Sequence, residues 1–292
     1  MGAKFSLFLG VFLLCCAACQ SAEADVPGSA GSANRSDIGD QSVHPIDTAG
    51  QEIATRFNTP YGFTRVELPE QSFGTYLRKL PLKPEGSPVF LHNGSQKWNQ
   101  NAHAAVVNLD VGSRDLQQCA DAVMRLRAEY LWQLESYNDI HFNFTNGFPA
   151  PYQRWRNGER ISVDGNDVRW VNRNRPDHSY EGFRRYLNMV FAYAGTLSLA
   201  DELEPKAIVD IAVGDVLIQG GSPGHAVIVV DKAINEVSGE IIVLLAQSYM
   251  PAQDIHVLKN PSRSDPWYLI SAETQSIRTP EWSFTAQDLK RF

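Results

Sequence analysis

Apolar and polar positions along this chain change period several times, and each change marks an element. From about 53 to 111 the signals are short. Residues 62–66 read as a strand. Residues 72–78 read as a short helix with Phe73, Tyr76 and Leu77 on one face, stopped by Pro81. A strand follows over 104–111 and ends at Gly112. The strongest helical stripe comes next, with Leu116, Cys119, Ala120, Val123, Leu126, Tyr130, Leu131 and Leu134 at the spacing of one face. Asp115 with Gln118 three places on forms a capping-box pattern, and Ser113 is a second candidate cap. Cys119 therefore falls in the first or second turn.

Residues 143–147 read as a turn. Residues 160–163 and 168–171 alternate around Asp164-Gly165-Asn166-Asp167, the pattern of a hairpin. A second helix is expected over 179–194, with Phe183, Tyr186, Leu187, Val190, Phe191 and Ala194 on one face. The end of the chain is β-rich, with strands near 213–219, 225–231, 240–248 and 254–258. No internal repeat is visible.

The first residues follow different rules. Lys4, an apolar run over 5–14 and then small residues make a signal peptide over 1–18, too short to span a bilayer. Cys16-Ala17-Ala18-Cys19 resembles a lipobox, which implies a lipid on Cys19 and a membrane anchor; Ala22-Glu23-Ala24 offers ordinary cleavage instead. Either route places the mature chain outside the cytoplasmic membrane, in a bacterial cell envelope. Residues 19–52 are rich in Ser, Ala, Gly and Asp and read as a disordered tether, with one folded domain over 53–292.

Composition changes this picture only slightly. Of 292 residues, 43% are hydrophobic and 20% charged, which fits one globular domain. A net charge of −7 without a basic stripe excludes a nucleic-acid binder. Once the signal peptide and Cys19 are set aside, Cys119 is the one thiol of the body, so no internal disulfide is expected. His92, His103, His141, His178 and His256 show no metal-ligand spacing, and neither a metal nor another cofactor is expected. Gly220-Gly221-Ser222-Pro223-Gly224 lacks the Lys-Ser/Thr of a phosphate loop. The segment from Trp155 to Arg160 reads as a surface turn or a sugar-stacking platform.

The stretch GDVLIQGGSPGHAVIVVD (214–231) places one imidazole, His225, at the mouth of two apolar strands. A hairpin through 220–224 sets Gln219 opposite His225. If Asp231 faces Glu240, His225 falls opposite Ala246, and a one-residue shift puts Gln247 there. An amide oxygen on either flank would accept from one ring N–H and fix the tautomer. Taken alone, His225 fits a hydrogen-bonded structural histidine and Cys119 a small packing residue.

Together their order resembles something more specific. A cysteine early in a helix precedes a three-strand meander with Gly214-Asp215 at the first strand, Gly224-His225 at the second and a polar residue ending the third. This resembles the papain-like envelope hydrolases of the NlpC and CHAP type. The resemblance implies Cys119 as nucleophile, His225 as its base and Gln247 as the residue orienting His225, with Gln219 as the alternative. It implies an α+β papain-like core over about 113–136 and 210–258, with an insertion over about 137–209. Trp98, Asn99, Gln100 and His103 precede the helix as candidates for the oxyanion site. The segments Tyr76-Leu77-Arg78, Gln117-Gln118-Cys119-Ala120-Asp121, Tyr193-Ala194-Gly195-Thr196-Leu197 and 246–253 also resemble an uncharacterised family of bacterial envelope proteins. The expected activity is thiol hydrolysis of an amide, for instance in cell-wall peptide. The alternatives are a non-catalytic lipoprotein that binds a glycan or peptide, and acyl transfer or lipid cleavage by the same thiol.

Overall fold

A computed structural model of the chain describes residues 44–172 and 175–292. The expected signal peptide over 1–18, the lipidation at Cys19 and the Ala22-Glu23-Ala24 site lie outside the described residues. Residues 45–52, expected as the end of a tether, belong to the body. Asp47 N–H donates to Arg56 C=O at 2.8 Å, and Leu82 N–H donates to Gln51 C=O at 2.7 Å.

The first elements are α1 (Ile53–Arg56), β1 (Thr64–Arg65), α2 (Phe73–Arg78) and β2 (His103–Val106). Ser72 caps α2 by accepting from Thr75 N–H. The strand expected over 104–111 is shorter because the chain leaves the sheet after Val106. Helix α3 runs from Cys119 to Gln133. Its cap lies one turn later than the Asp115 pattern suggests. Gln118 and Asp121 form the capping box, and Asp115 instead accepts from Ala252 N–H at 2.6 Å. Cys119 is thus the first residue of the helix.

Next come α4 (Tyr152–Arg156), the hairpin β3 (Glu159–Asp164) and β4 (Asp167–Asn172), and helices α5 (Tyr180–Tyr193) and α6 (Thr196–Glu202). The hairpin closes as predicted, with Asp164 opposite Asp167. The sequence pattern did not reveal α4 and α6, which have only one or two turns each. Trp155 in α4 is buried and donates to Gly182 C=O at 3.1 Å, so it is core and not a sugar platform.

The remaining strands are β5 (Glu204–Pro205), β6 (Val216–Gln219), β7 (His225–Ile234), β8 (Ile241–Gln247), β9 (His256–Leu258), β10 (Tyr268–Ile270), β11 (Ser276–Arg278), β12 (Ser283–Thr285) and β13 (Leu289–Arg291). Among the described residues nine strands form one sheet in the order β2-β9-β8-β7-β6-β13-β5, with β1 on β7 and β10 on β8. All its pairs are antiparallel. The fold is therefore mixed α+β around a large antiparallel sheet, and among the described residues no helix is long and apolar enough to cross a membrane.

The two sheet faces bury different partners. Ala226, Ile228, Leu244 and Ala246 join the helices in one core. Val227, Val229, Val243 and Leu245 join Ile277, Phe284 and Leu289 of the last strands in another. Side chains alternate across a strand, so each residue of β7 is assigned to one side. A bulge between Val229 and Asp231 breaks that alternation and turns Asp231 to the helix side. There its carboxylate accepts from Arg65 Nε at 2.6 Å and Arg78 Nε at 2.5 Å, with no exposure to solvent. Replacing Asp231 by Asn removes the charge that holds both guanidinium groups against the sheet. We expect a loss of about 3 kcal/mol, read as a lower denaturant midpoint at unchanged slope.

Candidate functional site

The glycine-rich turn over 220–224 and the start of α3 face each other across an open groove of about 580 Å³. Cys119 lies on its floor, nearly buried, with Asp121, Thr196 and Met250 also lining it. The turn has to be glycine where it meets α6. A Cβ on Gly224 would lie 2.3 Å from Thr196 Oγ1 and 2.5 Å from Gly221 C=O. Close approach of the two backbones thus forms one wall of the groove.

Helix position sets the surroundings of the thiol. As the first helical residue, Cys119 sits among N–H groups that have no partner inside the helix. The backbone N–H groups of Ala120, Ala226 and Cys119 itself act on the sulfur and pull its pKa down. Burial acts more strongly, aided by the neighbouring Asp121 carboxyl, and pushes the thiol up to about 11. Asp121 is itself held far above the usual carboxylate range by burial, and its Oδ1 has no hydrogen-bond partner.

His225 approaches from the other sheet face. Gln219 stands opposite it, as the hairpin predicted. The expected pairing of β7 with β8 is wrong, however. Ile228 faces Ala246, because the strands pair several residues further along than the Asp231–Glu240 register supposes, and the bulge takes back only one of them. His225 therefore has no directly opposed residue on β8. Gln247 reaches it diagonally from the same face, and His225 Nε2 lies 2.8 Å from Gln247 Oε1.

Gln219 is not the partner of the imidazole. Its amide donates to Asp288 at 2.8 Å and accepts from Trp282 Nε1 at 2.9 Å. It acts at one remove, because the Trp282 ring packs 5.2 Å from the His225 ring. Tyr249 at 4.7 Å and Phe284 at 6.0 Å enclose the imidazole further. This burial holds the His225 pKa down to about 4, against the hydrogen bond to Gln247 and the charge of Glu281, with Lys97 adding to the depression.

Behind Gln247 lies a set of charges that the sequence did not reveal. Gln247 Nε2 donates to Glu281 Oε2 at 2.9 Å and approaches His256 Nε2 at 3.3 Å. His256 Nδ1 lies 2.9 Å from Asp254 C=O, and burial holds this ring neutral with its pKa near 3. Lys97 Nζ donates to Glu281 Oε2 at 2.7 Å, with the two side chains only 7% and 15% exposed. A carboxylate only accepts, so it takes the NH₂ end of Gln247 and turns the oxygen toward His225. Nε2 of His225 is then the protonated nitrogen, and Nδ1 carries the lone pair, with no hydrogen bond to it among the described residues.

The candidates for an oxyanion donor lie elsewhere. Trp98 points to solvent and Asn99 donates to Glu281. Gln100 bonds the Val89 backbone, and His103 bonds Ser87 C=O. Cys119 and His225 share two neighbours: the N–H of Ala226, the residue after His225, acts on the sulfur, and Tyr249 lies against the His225 ring within the influence of the thiol. No hydrogen bond joins the thiol to the ring among the described residues. No group of three or more metal-ligating side chains is found among them either.

A family model described as "Domain of unknown function (4846)" matches residues 53–291, and the chain belongs to that family. This agrees with the resemblance to an uncharacterised family; the likeness to NlpC and CHAP hydrolases draws nothing from it. Neither a curated protein nor a solved structure matches the chain.

The buried ion pair behind Gln247 gives a measurable coupling. Glu281→Gln leaves Lys97 buried without a counter-charge and should cost about 2 kcal/mol. Lys97→Met combined with Glu281→Gln should recover most of that loss. Chemical denaturation of the four members of this double-mutant cycle reads the coupling directly. A value near zero would mean that solvent screens the pair.

Proposed function

We propose that this family member is a thiol hydrolase acting on an amide, with Cys119 as nucleophile, His225 as base and Gln247 as the residue that orients His225. One observation carries the reading: a helix-first cysteine on the floor of a groove is close enough to feel the Ala226 N–H, next in chain to His225, whose Nε2 is paired with the amide oxygen of Gln247. The order of elements, a nucleophile helix followed by the β6–β7–β8 meander, supports a papain-like core of the NlpC and CHAP type.

In this reading both groups rest neutral at pH 7, since burial raises the thiol and lowers the imidazole. The proton leaves Cys119 for His225 Nδ1 as sulfur attacks the carbonyl carbon. The N–H groups around the sulfur are the nearest donors to the oxyanion that forms. The imidazolium then protonates the departing amine, leaving a thioester. Water, deprotonated by His225, cleaves the thioester and restores the thiol. The proposed setting is a bacterial envelope, with a lipid on Cys19 and an amide in cell-wall peptide as substrate.

A second reading, a scaffold that binds a glycan or peptide without cleaving it, is favoured by the strongly raised thiol. Activated esters separate the two. Acylation of Cys119 by p-nitrophenyl acetate should rise through pH about 4 as His225 deprotonates, then hold a plateau until the thiol itself ionises near 11. His225→Ala should abolish the plateau and leave only the upper limb. Identical profiles for the two proteins favour the scaffold. Purified peptidoglycan digested with wild type and with Cys119→Ala should give different fragments; matching patterns would count against a cell-wall substrate.

A further inference from the structure

A second groove, of about 490 Å³, opens between the start of α3 and the side of α5. Leu116 lines both this groove and the one that holds Cys119. Arg114, Arg125, Arg184 and Arg185 line it against two carboxylates, Asp110 and Glu181, on a chain whose net charge is −7. Arg185 is already paired with Asp177.

Arg125 is fastened on one side only. Its Nε faces Glu129 Oε1 at 3.4 Å, and its Nη1 donates to Gln117 and to Asp110 C=O. Among the described residues its Nη2 makes no hydrogen bond. Arg184 is less satisfied still. It makes no hydrogen bond among the described residues, and its Nη1 is buried without a partner. The nearest carboxylate oxygen, on Asp110, stands 3.9 Å away on a side chain 79% exposed, while the Arg184 side chain is 16% exposed. Glu129 makes no hydrogen bond to Arg184 among the described residues; its Oε1 takes Arg125 and the Tyr180 hydroxyl, the latter at 2.6 Å, and its charge offsets the burial of Arg184 only in part. Burial, and then the charge of Arg125, push the Arg184 pKa down.

A guanidinium stays charged at any working pH. Two such cations, partly desolvated and close enough to repel, line the same groove with donors left unpaired. We propose that this groove between α3 and α5 binds an oxyanion group, a phosphate or a carboxylate, held between Arg184 and Arg125. The site does not depend on any chemistry at Cys119.

The test titrates inorganic phosphate and acetate separately into the full chain at constant ionic strength, with chloride as the balancing anion. Calorimetry and the thermal midpoint are the two readouts. At least one anion should bind wild type and raise its midpoint. Arg184→Gln should weaken that binding about tenfold or more and remove the midpoint shift. Without anion the same variant should unfold no earlier than wild type, because an unpaired cation is gone. Asn188→Asp sets a carboxylate one turn along α5 from Arg184 and should block binding from within, which keeps the test open if Arg184→Gln folds poorly. Cys119→Ala should bind as wild type does. Binding of phosphate alone identifies a phosphate group, and binding of acetate alone a carboxylate. If neither anion binds wild type, or both variants bind as tightly as wild type, the proposal is overturned.

Discussion

The site depends on which way one uncharged amide faces. Turned over, Gln247 would present donors to His225 and leave its oxygen against a carboxylate. Glu281 forbids that orientation because its carboxylate can only accept, and Lys97 holds it in place with a hydrogen bond at 2.7 Å. The consequence passes outward one bond at a time. The amide oxygen takes the Nε2 proton, the ring is fixed in one tautomer, and Nδ1 is left with its lone pair. Trp282 and Phe284 arrive with Glu281 on the same late segment and close the ring's apolar side.

The sheet makes this possible by keeping its two faces distinct. The helix side holds Cys119 at the head of α3, and it holds the Asp231 cluster through the bulge in β7. The opposite side holds His225, Gln247 and the last strands. The thiol comes near β7 where that strand runs past the end of its pairing with β8. There Ala226 N–H acts on the sulfur. A flat, fully paired sheet would offer the cysteine no such gap.

Much of this was legible in the sequence where short-range rules operate. Ser72, Ser179 and the Asp164–Asp167 turn are local signals, and the elements they mark stand where expected. Gln219 opposite His225 followed from a short hairpin loop. The pairing of β7 with β8 did not, since β7 continues past Asp231 to Ile234 and the turn comes later than the polar Lys232–Gly239 stretch suggests. The α3 cap was displaced because Asp115 has a distant use, the Ala252 N–H, that no local pattern announces. Gln247 was reached through a resemblance, and by a register that proved wrong. Glu281 and Lys97 were out of reach, since an isolated Pro-Glu-Trp and an isolated Gln-Lys-Trp carry no spacing that ties them together.

That last pairing has a consequence for how the molecule comes together. Lys97 and Glu281 are separated by 184 positions, and their contact closes across almost every intervening element. Contacts of such long range form late, after the loops between them have been ordered by shorter ones. A chain leaving the ribosome therefore carries Cys119 and His225 well before the carboxylate that turns the amide beside His225. Until the last strands dock, the imidazole has no fixed tautomer. The groove then matures at the end of folding, when the body around it is already closed.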